Sequence, residues 1–354
     1  MSNRSRLSFE SRIGICYGFA GDAQALPELT HLRLGGFGPE SILPNSFLGG
    51  TAPRLQSLSL SNILFPQLLN LLSSGTHLVH LSHNNIPPTG YISPEAMATS
   101  LSSLTNLESL SLQFQCPHPR PSLESRYPHP PPLTRSILPS LTKIEFKGAS
   151  EYLEEILARI DAPRLNKMII TFFNEVVFDL PQLFQFISRR PTLRAPEKGH
   201  IIFNPRSITI RIRQTSGGEL SVNIPCTASD WQLSSLQQLC SSPLPVSTLD
   251  DLYIFEGVEC QQACWFDGVE NTLWLELLHP FVAVKNIYLS KRSAPHFAYP
   301  LQELVGARTT EVLPTLENIF LDGLQPSGLQ KGIKEFAAAR QLTSRPVTVS
   351  RWNR

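Results

Sequence analysis

The side chains of this chain best suited to chemistry are its histidines, two close cysteines, a pair of adjacent glutamates and one glycine-rich loop. His77, His80 and His83 recur at three-residue spacing, as ligands to a borderline metal would. The segment that carries them, THLVHLSHNNIP, alternates as a strand does, and residues three apart on a strand face opposite ways. His77 and His83 therefore cannot converge with His80. His83 falls in an inward slot and is expected to be either hydrogen-bonded in the core or tilted to solvent. Cys260 and Cys264 are the only close cysteine pair. A structural zinc needs two further ligands at matching spacing, and His279 and His296 stand alone in other segments. Glu154 and Glu155 have the type for acid–base work, but their spacing places them on the wet face of an amphipathic helix. The loop LGGFGPES has Ser41 where a dinucleotide fingerprint wants its third glycine, and no lysine follows as in a nucleotide-triphosphate loop, so it reads as a turn. No catalytic residue, metal or cofactor is expected, and no Gly-x-Ser-x-Gly or His-Glu-x-x-His is present.

The elements that would position these residues come from a recurring phrase, apolar-x-x-apolar-x-apolar, usually led by proline or a small residue. It appears as LPELTHLRL (26–34), APRLQSLSL (52–60), SLTNLESLSL (103–112), LPSLTKIEF (138–146) and APRLNKMII (162–170). It resumes as VSTLDDLYI (246–254), FVAVKNIYL (281–289) and LPTLENIFL (313–321). Anchored on Leu29, Leu55, Leu78, Leu107, Leu141 and Leu165, the steps are 26, 23, 29, 34 and 24 residues, and Leu249, Val284 and Leu316 are 35 and 32 apart. The shorter steps match leucine-rich repeats of about 20–29 residues, and the longer ones need insertions. Such strands cannot bury an apolar face alone, so neighbours stack in a parallel ladder with each return path packed behind. The expected fold class is α/β, an irregular leucine-rich-repeat solenoid (horseshoe) over 26–354, with 1–25 as an N-terminal capping segment in which Ile13, Ile15, Tyr17 and Phe19 alternate.

Return paths read as helices over 96–104, capped by Ser93, and over 151–160, capped by Ser150. Others read over 181–188, 230–241, 271–279, 301–313 and 329–342. A proline-rich loop (116–136) with seven prolines cannot join the ladder, because proline has no N–H to donate. HIIF (200–203) reads as one ladder strand, 207–226 as a β-hairpin insertion around Ser216, Gly217 and Gly218, and RPVTVSRW as a terminal strand.

Composition narrows the function classes. With 30 basic and 29 acidic residues, a net charge of +1 gives no field to gather nucleic acid or an anionic membrane. There is no apolar run of transmembrane length and no apolar stretch typical of a secretory signal, so a cytoplasmic or nuclear protein with six reduced cysteines is expected, as a monomer. The outward strand positions, Ser57, Ser59, Lys143, Glu145, Lys167, Thr171, Asp251, Tyr253, Asn286, Tyr288, Asn318 and Phe320, are chemically mixed and include aromatics. That mixture suits an unknown protein or peptide ligand better than a phosphate backbone.

Five phrases go beyond repeat spacing: SFLGGTAPRLQSLSL (46–60), YISPEAMATSLSSLTNLESLSLQF (91–114), EYLEEILARIDAPRLNKMIITFF (151–173), DWQLSSLQQLCSS (230–242) and WLELLHPFVAVKNIYLS (274–290). In them the chain resembles a large family of fungal, basidiomycete F-box and leucine-rich-repeat proteins. The resemblance implies a repeat region that selects substrates for an SCF-type ubiquitin ligase. No F-box is visible, since Leu26-Pro27-Glu28 matches the opening of one but THLRLGGFGPES continues as a repeat. A Skp-type adaptor is therefore expected only if an F-box lies upstream. The alternatives are a stand-alone scaffold or sensor domain without a ubiquitin role, and a truncated family member.

Overall fold

A computed structural model describes residues 11–13, 28–36, 41–45, 47–50, 52–115, 135–173, 179–241, 244–257, 269–304, 308, 310–323 and 327–352. The fold is mixed α/β, and its strands pair mostly in parallel. The chain divides into two compact units, Met1–Phe173 with Pro181–Arg190, and Asn174–Leu180 with Pro191–Arg354.

The first unit contains strands β1 (Ser11–Ile13), β2 (His31–Gly36), β3 (Ser57–Ser61), β4 (His80–Ile86), β5 (Ser109–Phe114), β6 (Ser136–Ile137), β7 (Lys143–Gly148), β8 (Ile160–Asp161) and β9 (Lys167–Phe172). Its helices are α1 (Leu68–Ser74), α2 (Pro94–Leu101), α3 (Ser150–Arg159) and α4 (Pro181–Ser188). The strands β1-β2-β3-β4-β5-β7-β9 lie side by side in parallel, while β6 and β8 form a separate pair. Register aligns Leu32, Leu58, Leu81, Leu110, Ile144 and Met168 in one buried row. Leu34, Leu60, His83, Leu112, Phe146 and Ile170 form the next. Helices α1 to α4 pack each on the next, so each return path helps cover this leucine layer. A fully buried leucine such as Leu60 contributes about 1.5–3 kcal/mol, and a one-residue slip of register would turn its row to water.

The second unit contains α5 (Pro191–Arg194), β10 (Lys198–Asn204), β11 (Ser207–Arg213), β12 (Glu219–Pro225), α6 (Ser229–Ser241), β13 (Asp251–Glu256) and α7 (Asn271–Leu278). It continues with β14 (Asn286–Leu289), α8 (Ala294–Gln302), β15 (Asn318–Asp322), α9 (Ser327–Leu342) and β16 (Thr348–Trp352). Here β10, β13, β14, β15 and β16 pair in parallel, and β10, β11 and β12 pair antiparallel. The anchors Leu249, Val284 and Leu316 are buried, as are Leu29, Leu55, Leu78, Leu107, Leu141 and Leu165 in the first unit.

Local chemistry accounts for the element ends. Ser93 accepts the Ala96 N–H at 3.2 Å and Pro94 opens α2, as expected of a capped start. The 207–226 segment is a hairpin, but not one inserted outside the ladder. Strand β11 also pairs along its length with β10, which itself pairs with β13, so the three strands are a meander within the sheet. Its turn needs Gly217, whose φ of 101° lies in the region open to glycine.

Several expectations are corrected. Ser150 is the first residue of α3 and not its cap, its hydroxyl donating to Glu151 at 3.1 Å, while Ala149 occupies the cap position. Glu154 is not merely solvated: its two carboxylate oxygens accept the Gln182 and Leu183 N–H groups, each at 2.8 Å, at the start of α4. The helix expected over 301–313 is displaced to α8, because Pro295 starts the helix early and Phe297, Ala298 and Leu301 supply its buried side. The segment 14–25, most of the proline-rich loop (116–134) and the loop residues 37–40 lie outside the described residues.

Candidate functional site

His83 is inward and hydrogen-bonded, as one of the two sequence readings has it. It is 2% exposed, its Nε2 lies 3.3 Å from the Ile63 carbonyl, and burial lowers its pKa against that bond. His80 is exposed on the other side of β4, so the histidines do not assemble. Among the described residues no three His, Cys, Asp or Glu side chains gather in a way that would hold a metal ion. Cys260 and Cys264 fall outside those residues, as do Cys16 and Cys116, whereas Cys226 and Cys240 are buried free thiols. No helix among the described residues is long and apolar enough to cross a membrane.

All twelve outward positions named from the sequence are half-buried strand residues, but they are shared between the two units. In the first unit Ser57, Ser59, Lys143, Glu145, Lys167 and Thr171 lie on the side of the strands opposite the leucine rows. Lys143 pairs with Glu145 at 2.7 Å, and Ser111 donates to Asn84 at 3.1 Å. Serine hydroxyls and lysine stems dominate this surface.

The second unit is different in kind. Register brings Tyr253, Tyr288 and Phe320 into one row, and parallel pairing of β10 adds His200. The rings stack: His200 on Tyr253 at 4.6 Å, Tyr253 on Tyr288 at 4.2 Å and Tyr288 on Phe320 at 4.6 Å between centroids, with planes within 10°. The interval is close to the strand spacing, as in-register aromatic rows on a parallel sheet require. Trp352 packs edgewise on Tyr288 at 5.3 Å and on Tyr253 at 5.9 Å. Phe255 meets the His200 ring at 6.1 Å.

Beside the rings runs a polar row. Asn318 donates to Asn286 at 2.8 Å, and Asn286 donates to the Asp251 carboxylate at 2.8 Å. Burial pushes the Tyr253 hydroxyl up from its ordinary pKa, helped by Tyr288 and the Asp251 charge; burial and then Asp251 do the same for Tyr288. Both hydroxyls therefore stay protonated at neutral pH. Asp250 pairs with Lys285 at 2.9 Å, whereas Asp251 has no ion-pair partner among the described residues.

Sequence reasoning found Asp251, Tyr253, Asn286, Tyr288, Asn318 and Phe320 by alternation alone. It missed His200 and Trp352, although carrying the same alternation into HIIF and RPVTVSRW would have marked both as outward.

No family model matches the chain, and no curated protein matches it. A solved structure, the crystal structure of the leucine-rich repeat-containing protein LegL7 from Legionella pneumophila, is similar at 12% identity and a TM-score of 0.34, over 88% of this chain and 91% of that one.

Proposed function

We propose that the chain is a non-catalytic recognition module built of leucine-rich repeats, and that it binds a protein or peptide through the outward strand face of its second unit. The observation that carries this reading is the aromatic column. Four stacked rings, with Trp352 against their side, sit half-exposed on the face opposite the buried rows Leu252–Ile287–Ile319 and Ile254–Leu289–Leu321. Tyrosine and tryptophan present large, rigid contact area with a polar tip, and such residues dominate binding energy at protein interfaces. The stacking holds the rings in place before any partner arrives, which lowers the ordering cost of binding.

The narrower form of the proposal is that the two ladders are turns of one leucine-rich-repeat solenoid serving as the substrate-selecting region of an SCF-type ligase. It rests on the phrase-level likeness to fungal F-box proteins, and co-purification of a Skp-type adaptor with the full gene product tests it. The broader proposal is tested with a photo-reactive benzoylphenylalanine placed at Thr348, beside the polar row, or at Tyr299, which is 62% exposed on α8. Discrete polypeptide adducts from position 348 alone are expected. Adducts from position 299 alone, or none from either, would refute a strand-face binding role.

A further inference from the structure

We infer that the aromatic column takes an extended basic peptide, with an arginine or lysine side chain on Asp251 and an aromatic side chain four residues along over Ser350. The inference rests on the reading of the second unit's strand face as the recognition surface.

Three observations lead to it. The inner rings of the column have both faces occupied by neighbours, so a ligand meets their edges. Phe320 ends the stack: Tyr288 is its ring neighbour, and the residue next in register on β16 is Ser350, too small to cover its outer face. Among the described residues, the β16 side of Phe320 therefore carries no stacked ring. At the other end, Asp251 accepts an amide from Asn286 and has no ion-pair partner among the described residues, while Lys285 is engaged by Asp250. Carboxylates outnumber cations at this margin, with Glu197, Glu219, Asp250, Asp251 and Glu317 against Lys198, Arg213 and Lys285, Arg213 being paired with Glu219. A cation that also packs against tyrosine rings is the complementary group. Phosphate-bearing chains would be repelled there, and a sugar, which stacks on ring faces, finds one face only.

The spacing follows from strand geometry. Asp251 on β13 and Ser350 on β16 are three strand intervals apart across the sheet and two residues apart along it, since Thr348 is the β16 residue in register with Asp251, which puts them about 16 Å apart. An extended peptide advances about 3.4 Å per residue, so four residues of a chain crossing diagonally cover about 14 Å, and the length of the basic side chain supplies the remainder. Residues i and i+4 of such a chain point the same way, as both contacts require.

The test is selection of a displayed library of random 12-residue peptides on the full chain, followed by titration of the selected peptides against variants. Arginine or lysine with an aromatic residue four positions away is expected. Affinity should fall at least tenfold in Asp251→Asn and in Ser350→Trp, which covers the β16 side of Phe320, and several-fold between 50 and 500 mM salt. A control variant, Trp231→Ser on α6, should bind as the parent does. Peptides that need Phe320 but carry no base, or that ignore both substitutions, overturn this inference and leave the strand-face reading standing. Peptides that bind without any dependence on Tyr253, Tyr288 or Phe320, no selected peptide at all, or binding of a glycan panel instead, overturn both.

Discussion

Replacing His83 with leucine should remove a pH dependence from the first unit's stability. The ring is 2% exposed in a row otherwise made of Leu34, Leu60, Leu112, Phe146 and Ile170, and only Nε2 has a partner, the Ile63 carbonyl at 3.3 Å. Burial lowers its pKa below the ordinary 6.5, opposed in part by the Ile63 bond. The folded state therefore refuses a proton that the unfolded chain accepts. Above pH 6.5 both states hold a neutral ring and this component of stability is complete. As pH falls below 6.5 the unfolded chain gains a proton, and stability drops by up to about 1.4 kcal/mol per pH unit until the folded pKa is reached. In His83→Leu this component is absent. At pH 8 the variant gains apolar burial and loses a buried polar atom, but strands the Ile63 carbonyl at a cost of about 1–3 kcal/mol, so the two proteins should lie close together. Urea unfolding at pH 8, 7, 6 and 5 measures the difference, in which the other histidines cancel. Parallel stability curves for the two proteins, or a His83 ring resonance that titrates at 6.5, would refute the reasoning.

Other substitutions test the packing more locally. Glu154→Ala should cost about 1–2 kcal/mol by stripping the Gln182 and Leu183 N–H groups of their acceptor, with Glu154→Gln milder, in denaturant titrations. Arg340→Met should destabilise the second unit by about 3 kcal/mol, because the buried guanidinium donates to the Leu313, Pro314 and Leu316 carbonyls; hydrogen exchange of β15 and β16 would report it. Burial pushes the Cys240 thiol far up, so iodoacetamide at pH 8 should leave Cys240 unlabelled until urea unfolds the chain, as peptide mass mapping would show.

What the sequence discloses here is periodicity, and what it hides is register across long gaps. Alternation places Leu58, Leu60, Tyr253 and Phe320 on their correct sides, because a strand's two faces are set by residue parity alone. That His200, Tyr253, Tyr288 and Phe320 stack as one column depends on three strand pairings made between segments more than 30 residues apart in the chain. Glu154 was unreadable for a related reason: its partners lie 28 and 29 residues away on another helix, so its own helix shows only a carboxylate on a polar side. The α8 error arose where two prolines interrupt the apolar pattern. Pro295 belongs at a helix start, and Pro300 is tolerated within the same helix, so proline position alone misplaces the element. His83 shows the converse, since its parity is correct and only its chemistry breaks the row.

The claim that the second unit's ring-bearing strand face is a recognition surface is tested most directly by calorimetric titration of one selected ligand against two folded variants. One replaces Tyr253, Tyr288 and Phe320 with serine; the other replaces the exposed helix residues Trp231 and Tyr299. Truncating a buried aromatic anchor costs about 2 kcal/mol or more, so the first should weaken binding at least 30-fold while the second stays within twofold of the parent. Unchanged binding by the first with loss in the second would contradict the account.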